Sequence, residues 1–588
     1  MYIIGISCFY HDSAACLMKD GEIKFAIQEE RLTRIKNESR FPILAIKKCL
    51  ESERISFDQV AHIIYYEKPF LKFERIIESY LIFSNTSLSF FLKSVLIWVK
   101  KRLFLKKEIF RVLNEHDLSI NGKFSIKFCE HHMSHAAASF LFSPFEEALI
   151  LNVDGVGEWA TTSIMIGKGK KITKKKEIFF PHSLGLFYSS ITSFLGFRVN
   201  GDEYKVMGLA SYGRPIFKQK IYDNLIDVKA DGSFKLNLKY FNFGSLNRMY
   251  AQSLQNLFDC SPRLSSDPMT QIHADIANSI QVVLEETLVK VVDFMVDEYN
   301  IKNLCMSGGV ALNCVANGQI LRASKADKIW IQPASGDAGA ALGAAAHYYT
   351  TLPDVSRSIR AFNPFLGPSY LFDPKDHNLE EFSISTFDNF DELIDQTTDL
   401  IIKGEAIGWF QDRMEFGPRA LGNRSILADP RNVDMISNLN MRIKFRESFR
   451  PFAPAVLHEY AHDYFEFIHE SPFMLFVDQI KANHRITPKQ RFSGFAKINE
   501  VRSTIPAVTH VDHSARIQTV TQEFNLKFHQ LIKSFFEKTG VPMLINTSFN
   551  LKDEPIVCNP SDAIECMRKT NLNYLVINSN LIRRRDKK

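Results

Sequence analysis

Nine cysteines are scattered through 588 residues without one C-x-x-C pair. That pattern argues against a zinc ribbon or a disulfide framework and favours reduced thiols in a cytoplasmic setting. Net charge is also slight: +6, with a pI of about 8.6. So weak an excess makes no case for nucleic acid, though it suits a protein that handles phosphorylated small molecules. Long disorder is not expected, because 45% hydrophobic and 23% charged residues are ordinary values for folded domains. The opening Met1-Tyr2-Ile3-Ile4-Gly5-Ile6 is too short and uncharged for a signal peptide and reads as a buried first strand. No uninterrupted run reaches membrane length. The nearest, Tyr80 to Val99, is broken by Lys93 and by Ser84-Asn85-Thr86-Ser87. Packed helices of an insertion are expected there, with interfacial membrane contact beside Lys100, Lys101 and Arg102 the lesser alternative. A chain of this length holds roughly two to four domains.

The stretch around which the rest is organised is Glu130-His131-His132-Met133-Ser134-His135, followed by Ala136-Ala137-Ala138-Ser139-Phe140. His131 and His135, four apart, project from one face of a helix, and two imidazoles so placed grip one metal ion. The small residues after them let that helix pack closely on its neighbour. Leu149 to Val153 reads as a buried strand with Asp154 at its end. Ile329 to Pro333 is similar and leads into Ser335-Gly336-Asp337. Two histidines and two aspartates suit Fe(II), Mn or Zn, and carboxylates in place of thiolates argue against a purely structural zinc. The competing reading is an ordinary helix with surface histidines.

Tyr2 to Ser7, Ala14 to Met18 and Glu22 to Ile27 read as strands, the last two joined by a Lys19-Asp20-Gly21 turn. The loop Ser7 to Ser13 offers His11 to a phosphate or acyl group. The charged stretch Gln28 to Lys36 reads as a solvated turn and helix start. Three strand–loop units, ending at Ser7, at Asn152 to Gly157 and at Ser307-Gly308-Gly309, are the pattern of an actin-like ATPase cleft. Gly-Gly at a helix start, with Asn313 beyond it, favours an anionic or nucleoside ligand. Lys205, in Gly201 to Ala210, is a substrate candidate or a solvated lysine. Thr351 to about Asn378 is rich in proline and serine and reads as a connector. Beyond it, Gly408 to Ser425, with Arg419, and Lys444 to Pro454, with Arg450, interleave arginine with glycine and proline, as a polyphosphate pocket does. An RNA-binding patch, or surface arginines paired with Glu415 and Glu447, is the alternative. Arg516 and the strand end Asn546-Thr547-Ser548 are further ligand-rim candidates. The terminal Arg583 to Lys588 reads as a frayed basic tail.

Seven blocks carry a resemblance to the nodulation-type O-carbamoyltransferase family, which includes the tobramycin and cephamycin carbamoyltransferases. They are Tyr10 to Ala14, His131 to Ala136, Tyr204 to Ala210, Ser307 to Asn313, Met414 to Gly422, Phe449 to Pro454 and Asn546 to Asn550. The likeness runs from Gly5 to roughly Met567 and is weak from Lys68 to Lys123, an insertion that is a candidate for shaping the acceptor site or a homodimer contact. The resemblance implies an α/β actin-like domain over residues 1–355, a connector at 356–378 and a YrdC-like α+β domain at 379–588. It further implies that the YrdC-like half makes carbamoyl-adenylate from carbamoyl phosphate and ATP, with Mg, releasing phosphate and pyrophosphate. The actin-like half then moves the carbamoyl group to a hydroxyl of a sugar-containing or natural-product acceptor, with a metal, iron in the best-described relative, at His131, His135, Asp154 and Asp337. By the same resemblance Lys444, Arg450, Arg516, Asn546 and Ser548 bind the anionic co-substrates. His11, Lys36 and Lys205 are the catalytic candidates, and Ser307, Gly308, Gly309, Asn313 and Arg419 complete the expected cofactor contacts. His11, titrating near neutrality, would deprotonate the acceptor.

Three rivals stand beside this reading. A tRNA threonylcarbamoyl transferase would be expected to bind tRNA with steep salt dependence. A hydrogenase-maturation carbamoyltransferase would carry paired C-x-x-C zinc sites and an acylphosphatase domain. An Hsp70-like binding module would leave the metal ligands and the second domain unexplained.

Overall fold

Asp20 and Gly21 both adopt positive φ, 49° and 84°, the backbone that a tight two-residue hairpin demands. They close the hairpin between β2 (Ala14–Lys19) and β3 (Glu22–Gln28), and β1 (Tyr2–Ser7) pairs antiparallel with the other edge of β2. On its far side β1 pairs in parallel with β4 (Val60–Tyr65), and β4 with β5 (Ser125–Phe128). The sheet order is therefore β3-β2-β1-β4-β5. The computed structural model describes residues 1–82, 104–118, 124–243, 248–357, 361–447, 449–466 and 469–585. The interrupted apolar run from Tyr80 to Val99 lies mostly outside them. Among the described residues no helix is long and apolar enough to cross a membrane.

The same layout recurs. β6 (Glu147–Val153), β7 (Ala160–Lys168) and β8 (Lys171–Phe179) form an antiparallel meander. After a small hairpin of β9 (Ile226–Val228) and β10 (Phe234–Leu236), β11 (Asn303–Ser307) and β12 (Lys328–Ile331) join β6 in parallel. The order β12-β11-β6-β7-β8 repeats the first sheet strand for strand and direction for direction. This duplicated three-strand meander with two parallel crossovers is the layout expected of an actin-like fold. Both sheets belong to one compact unit, Met1–Thr33 with Asn37–Phe362.

Close backbone contact sets the helices of that unit. A Cβ on Gly343, within the Asp337–Thr350 helix, would lie 1.8 Å from the Ser134 carbonyl oxygen of the His131–Phe140 helix. On the opposite side a Cβ on Gly5 would lie 2.0 Å from the carbonyl oxygen of Ala341. Small side chains thus let one helix lie directly against both its helical neighbour and β1.

The charged stretch from Gln28 to Lys36 is not solvated. Glu29, Glu30 and Arg31 are buried. The Glu29 carboxylate accepts the Leu44 and Ala45 N–H groups at 3.1 and 2.7 Å, capping the Ile43–Glu53 helix, while Glu30 pairs with Arg31 at 3.1 Å.

The second unit comprises Arg34–Lys36 and Asn363–Lys588. Its nine strands among the described residues are β13 (Phe382–Thr386), β14 (Ile407–Phe410), β15 (Arg424–Ala428), β16 (Ala453–Leu457), β17 (Phe476–Gln479), β18 (Ser514–Val520), β19 (Met543–Ser548), β20 (Tyr574–Ile577) and β21 (Asn580–Arg584). They form a mixed sheet in the order β13-β21-β20-β14-β15-β19-β16-β18-β17. Leu393, Ile394 and Ile401 of one helix and Phe528, Leu531, Ile532 and Phe535 of another bury against it. The proline-rich stretch is no free connector from residue 363 onward. Phe416 N–H donates to Pro364 O at 2.7 Å, Met414 N–H to Pro368 O and Gly367 N–H to Met414 O, both at 2.9 Å. Prolines lose a donor but keep their carbonyls, so such a segment can still be bound into a domain. β21 holds Arg583 and Arg584 in the sheet, against the expectation of a tail frayed from Arg583, and residues 586–588 lie outside the described residues.

Candidate metal centre

Three elements deliver four donor side chains. His131 and His135 open the His131–Phe140 helix, Asp154 follows β6, and Asp337 begins the helix that packs on the first. One donor atom from each lies within 4.8 Å of every other; His131, His135 and Asp337 are deeply buried, and the Asp154 side chain is 13% exposed. The two Nε2 atoms are 3.1 Å apart. Asp154 Oδ2 is 2.9 Å from His131 Nε2 and 3.8 Å from His135 Nε2. Asp337 Oδ1 is 3.7 and 3.5 Å from the same atoms.

Each carboxylate is held by its other oxygen. Asp154 Oδ1 accepts the Gly309 N–H at 3.0 Å, and Asp337 Oδ2 accepts the Tyr66 hydroxyl at 3.4 Å. His135 Nδ1 lies 3.3 Å from Ser307 Oγ, whose hydroxyl is directed to Ser335 O. Ser307 therefore accepts from Nδ1–H, and Nε2 presents its lone pair to the cluster. The His131 ring is fixed by packing instead: a Cβ on Gly157 would come within 2.9 Å of its Cδ2. Glu158, in the same loop, accepts the His131 backbone N–H with both oxygens, at 3.0 and 3.1 Å.

Four lone-pair donors converge with too few protons to separate them, which fits a cation. Two nitrogens bound to one ion at about 2.1 Å and at tetrahedral or right angles would sit roughly 3.0–3.4 Å apart, as these do. In the chain alone, protons must carry that positive charge. Burial opposes it, but the hydrogen bond to Asp154 and the charge of Asp337 raise His131 to about 9. Asp337, despite burial, is drawn down to about 2 by His11 and His131.

His11 lies beside the cluster, its Nε2 4.0 Å from Asp337 Oδ2 and its Nδ1 2.9 Å from Asp12 Oδ2. Asn37 holds the other Asp12 oxygen at 2.9 Å. The expectation that His11 titrates near neutrality does not hold for the chain alone. Burial lowers its pKa, but Asp337 and Asp12 outweigh burial and lift it to about 10.

The other first-unit candidates have committed partners. Lys205 is buried and pairs with Asp202 at 3.3 Å. Gly309 gives its N–H to Asp154, Gly308 (φ 92°) crosses Val153, and Ser307 orients His135. Asn313 caps the Cys314–Ala323 helix through Ala316 N–H and bonds Gln281. Thus the Gly-Gly turn, expected to face an anionic ligand, turns an N–H to the Asp154 carboxylate.

In the second unit Lys444 is buried, and its ammonium donates to Asn550 Oδ1 at 2.9 Å, to Ser548 Oγ at 3.3 Å and to the Ser548 carbonyl. No carboxylate pairs with it among the described residues. Burial, with the charges of Arg446, Arg450 and Lys36, holds its pKa well below the ordinary lysine value. Lys36 thus belongs with this cationic cluster, in the same unit. Asn546 donates to Gln518 Oε1 at 2.7 Å and to Ala420 O at 3.2 Å, which fixes the loop carrying Arg419. Arg450 lies 3.8 Å from Glu447, and Arg516 stands half-buried on β18 opposite Val477.

Two residues of the Gly–Arg loop are not what a surface reading expects. Glu415 pairs with no arginine there; its Oε1 accepts the backbone N–H groups of Leu421, Asn423 and Arg424 at 2.7–3.1 Å. Arg424 is fully buried, donating to five carbonyls, among them Gln411 O and Pro368 O, and stacked 3.6 Å above Phe410. Sequence reasoning also missed Tyr66 and the ligand-orienting role of Ser307, and it noted Asp12 within the Tyr10 to Ala14 block without giving it a role. Only the adjacency of Asp12 to His11 could have flagged one of them.

The family models described as Carbamoyltransferase N-terminus and Carbamoyltransferase C-terminus match residues 2–346 and 398–584. An uncharacterised protein of Synechocystis is 46% identical over 98% of this chain and 95% of its own length. Nodulation protein NolNO of Sinorhizobium fredii is 35% identical over 98% of this chain and 79% of its own. The 3'-hydroxymethylcephem-O-carbamoyltransferase of Amycolatopsis lactamdurans is 31% identical over 47% of this chain and 47% of its own. With one family model spanning more than half its length and a second covering most of the remainder, this chain belongs to the carbamoyltransferase family and is a transferase.

Proposed function

We propose that the protein is an O-carbamoyltransferase that works in two steps. The second unit, read as a YrdC-like domain, converts carbamoyl phosphate, water and ATP into carbamoyl-adenylate, phosphate and pyrophosphate. The first unit transfers the carbamoyl group to a hydroxyl of a sugar-containing or natural-product acceptor, releasing AMP. The observation that carries this reading is the convergence of His131, His135, Asp154 and Asp337 beside His11. The name of the cephem relative supports a hydroxyl acceptor.

A carbamoyl group is a poor electrophile because its nitrogen donates into the carbonyl, so activation as an adenylate and charge stabilisation at oxygen are both needed. A divalent ion, Fe(II) or a similar metal, held by the four side chains would polarise that carbonyl as a Lewis acid and offset the two buried carboxylates. Asp12 fixes the His11 ring through Nδ1, which leaves Nε2 as the atom that takes the hydroxyl proton. Lys444, Arg446, Arg450 and Lys36 supply an excess of positive charge suited to the phosphates of ATP and carbamoyl phosphate.

The test is ATP–pyrophosphate exchange. It should require carbamoyl phosphate and survive loss of metal from the His/Asp centre while Mg is supplied, whereas carbamoyl transfer to a hydroxyl should need the metal. Exchange without carbamoyl phosphate would refute the adenylation step.

A further inference from the structure

The helix Pro69–Ile82, which opens the stretch expected from the sequence to be an insertion, sends two cations inward. Lys72 and Arg75, one turn apart, are 7% and 9% exposed. Their situations differ. Lys72 is neutralised by Glu67 at 2.6 Å, and Glu67 also accepts the Tyr65 hydroxyl at 3.2 Å. Arg75 has no ion pair among the described residues. It donates through Nη1 to Gly157 O at 2.6 Å and lies 5.7 Å from the Phe180 ring centroid. The nearby Glu158 is committed to the His131 and Lys68 N–H groups.

Glu67 and Glu158 act on the charge of Arg75 from a distance, but among the described residues neither pairs with it directly and both are committed elsewhere. A buried guanidinium with one carbonyl partner is costly unless something pairs with it. Its location says what. Gly157, the residue it holds, packs against the His131 ring. Lys72 lies 5.2 Å from the ring centroid of Tyr10, and that ring lies 4.5 Å from the ring of His11. Tyr10 is 47% exposed, so this edge of the centre is open to a ligand.

We propose that Arg75 anchors an oxyanion subsite at the edge of the metal centre, taking a phosphate or carboxylate group carried by one of the two transfer partners. This rests on the reading of the first unit as the transfer site. The phosphate source is the nucleotide half of the carbamoyl donor; the carboxylate source is an acidic acceptor such as a uronic acid.

The experiment compares Arg75→Gln and Arg75→Lys in the full-length, zinc-loaded protein, with Arg450→Ala in every sample to weaken the second unit's anion cluster. AMP and glucuronate are titrated calorimetrically. Gln is too short to reach Gly157 O and lacks the charge, whereas Lys keeps the charge and most of the reach, so zinc retention in Arg75→Gln separates recognition from bracing. Arg75→Gln is expected to weaken one probe by about ten-fold or more, and Arg75→Lys to stay within about three-fold of the parent. Loss confined to AMP identifies the donor phosphate as the ligand, and loss confined to glucuronate identifies an acidic acceptor. Unchanged affinity for both probes, equal losses in both variants, or loss of zinc in Arg75→Gln with binding otherwise intact would overturn the proposal. Failure of the proposed function would appear separately, as missing exchange and transfer in the unsubstituted protein.

Discussion

Replacing Gly343 by alanine should disrupt the metal centre without touching a ligand. The new Cβ would lie 1.8 Å from Ser134 O and 2.6 Å from Ala138 N, both backbone atoms of the ligand-bearing helix. Real Cβ contacts essentially never fall below 3.0 Å, so the two helices must separate by about 1.2 Å or more. Metal–ligand distances tolerate only about 0.2 Å. His131 and His135 ride on one helix and Asp337 on the other, so the separation should weaken metal binding by at least about ten-fold. Overpacking should also cost about 1–3 kcal/mol of stability. Gly336→Ala is the control: it neighbours Asp337, but its Cβ would meet nothing nearer than Leu312 Cδ1 at 3.9 Å. Metal content after dialysis, Co(II) absorption and urea titration of the metal-free protein read the outcome. A Gly343→Ala protein with parental metal affinity would refute the claim that this helix contact sets the donor positions.

Other expectations concern single residues. His135→Ala should abolish stoichiometric metal while carbamoyl-phosphate-dependent ATP–pyrophosphate exchange persists; full metal occupancy would exclude His135 as a ligand. Arg450→Ala should slow adenylation by roughly ten-fold or more with unchanged metal content, and synthetic carbamoyl-adenylate should restore transfer; no restoration would assign Arg450 to the transfer step. Glu415→Ala leaves three buried N–H groups without their acceptor, so unfolding free energy should fall by about 2–4 kcal/mol, and a loss under 1 kcal/mol would count against the loop-tether role. In the metal-free protein, the raised pKa values of His131 (about 9) and His11 (about 10) contribute stability that is complete below about 6.5 and lost as pH rises through both values. Its melting temperature should therefore fall between pH 7 and 10, and His11→Asn should flatten that fall.

The four donors were legible because helical spacing and strand ends have local signatures: His131 and His135 share a helical face, and Asp154 and Asp337 follow apolar runs. What orients them was not. Tyr66, Ser307 and the Gly309 N–H reach their partners across 271, 172 and 155 residues of sequence, and a hydroxyl or a backbone N–H leaves no periodic trace. The early strands and their Asp-Gly turn were equally plain. Buried charge was where composition misled. Glu29 caps a helix inside the fold and Arg424 is enclosed by carbonyls, whereas charged stretches are usually solvated. Proline misled similarly, since the carbonyls of Pro364 and Pro368 anchor a segment whose composition suggested a linker.

The centre's charges also bear on His11. Asp154 and Asp337 are buried and ionised, and in the chain alone the compensating charge comes from protons on His131 and His11. A divalent ion would occupy the same electrostatic position, so its binding must displace the His131 proton and weaken the hold on the one at His11. Under the proposed function His11 would then be a poor base in the empty centre and an effective one only when the centre is loaded. On that reading the two carboxylates that would hold the metal would also make proton abstraction conditional on it, so the hydroxyl would be activated where the carbamoyl carbonyl is also polarised. Without Asp12 and Asp337, burial would instead lower the pKa of a histidine at this position, and that coupling would be absent.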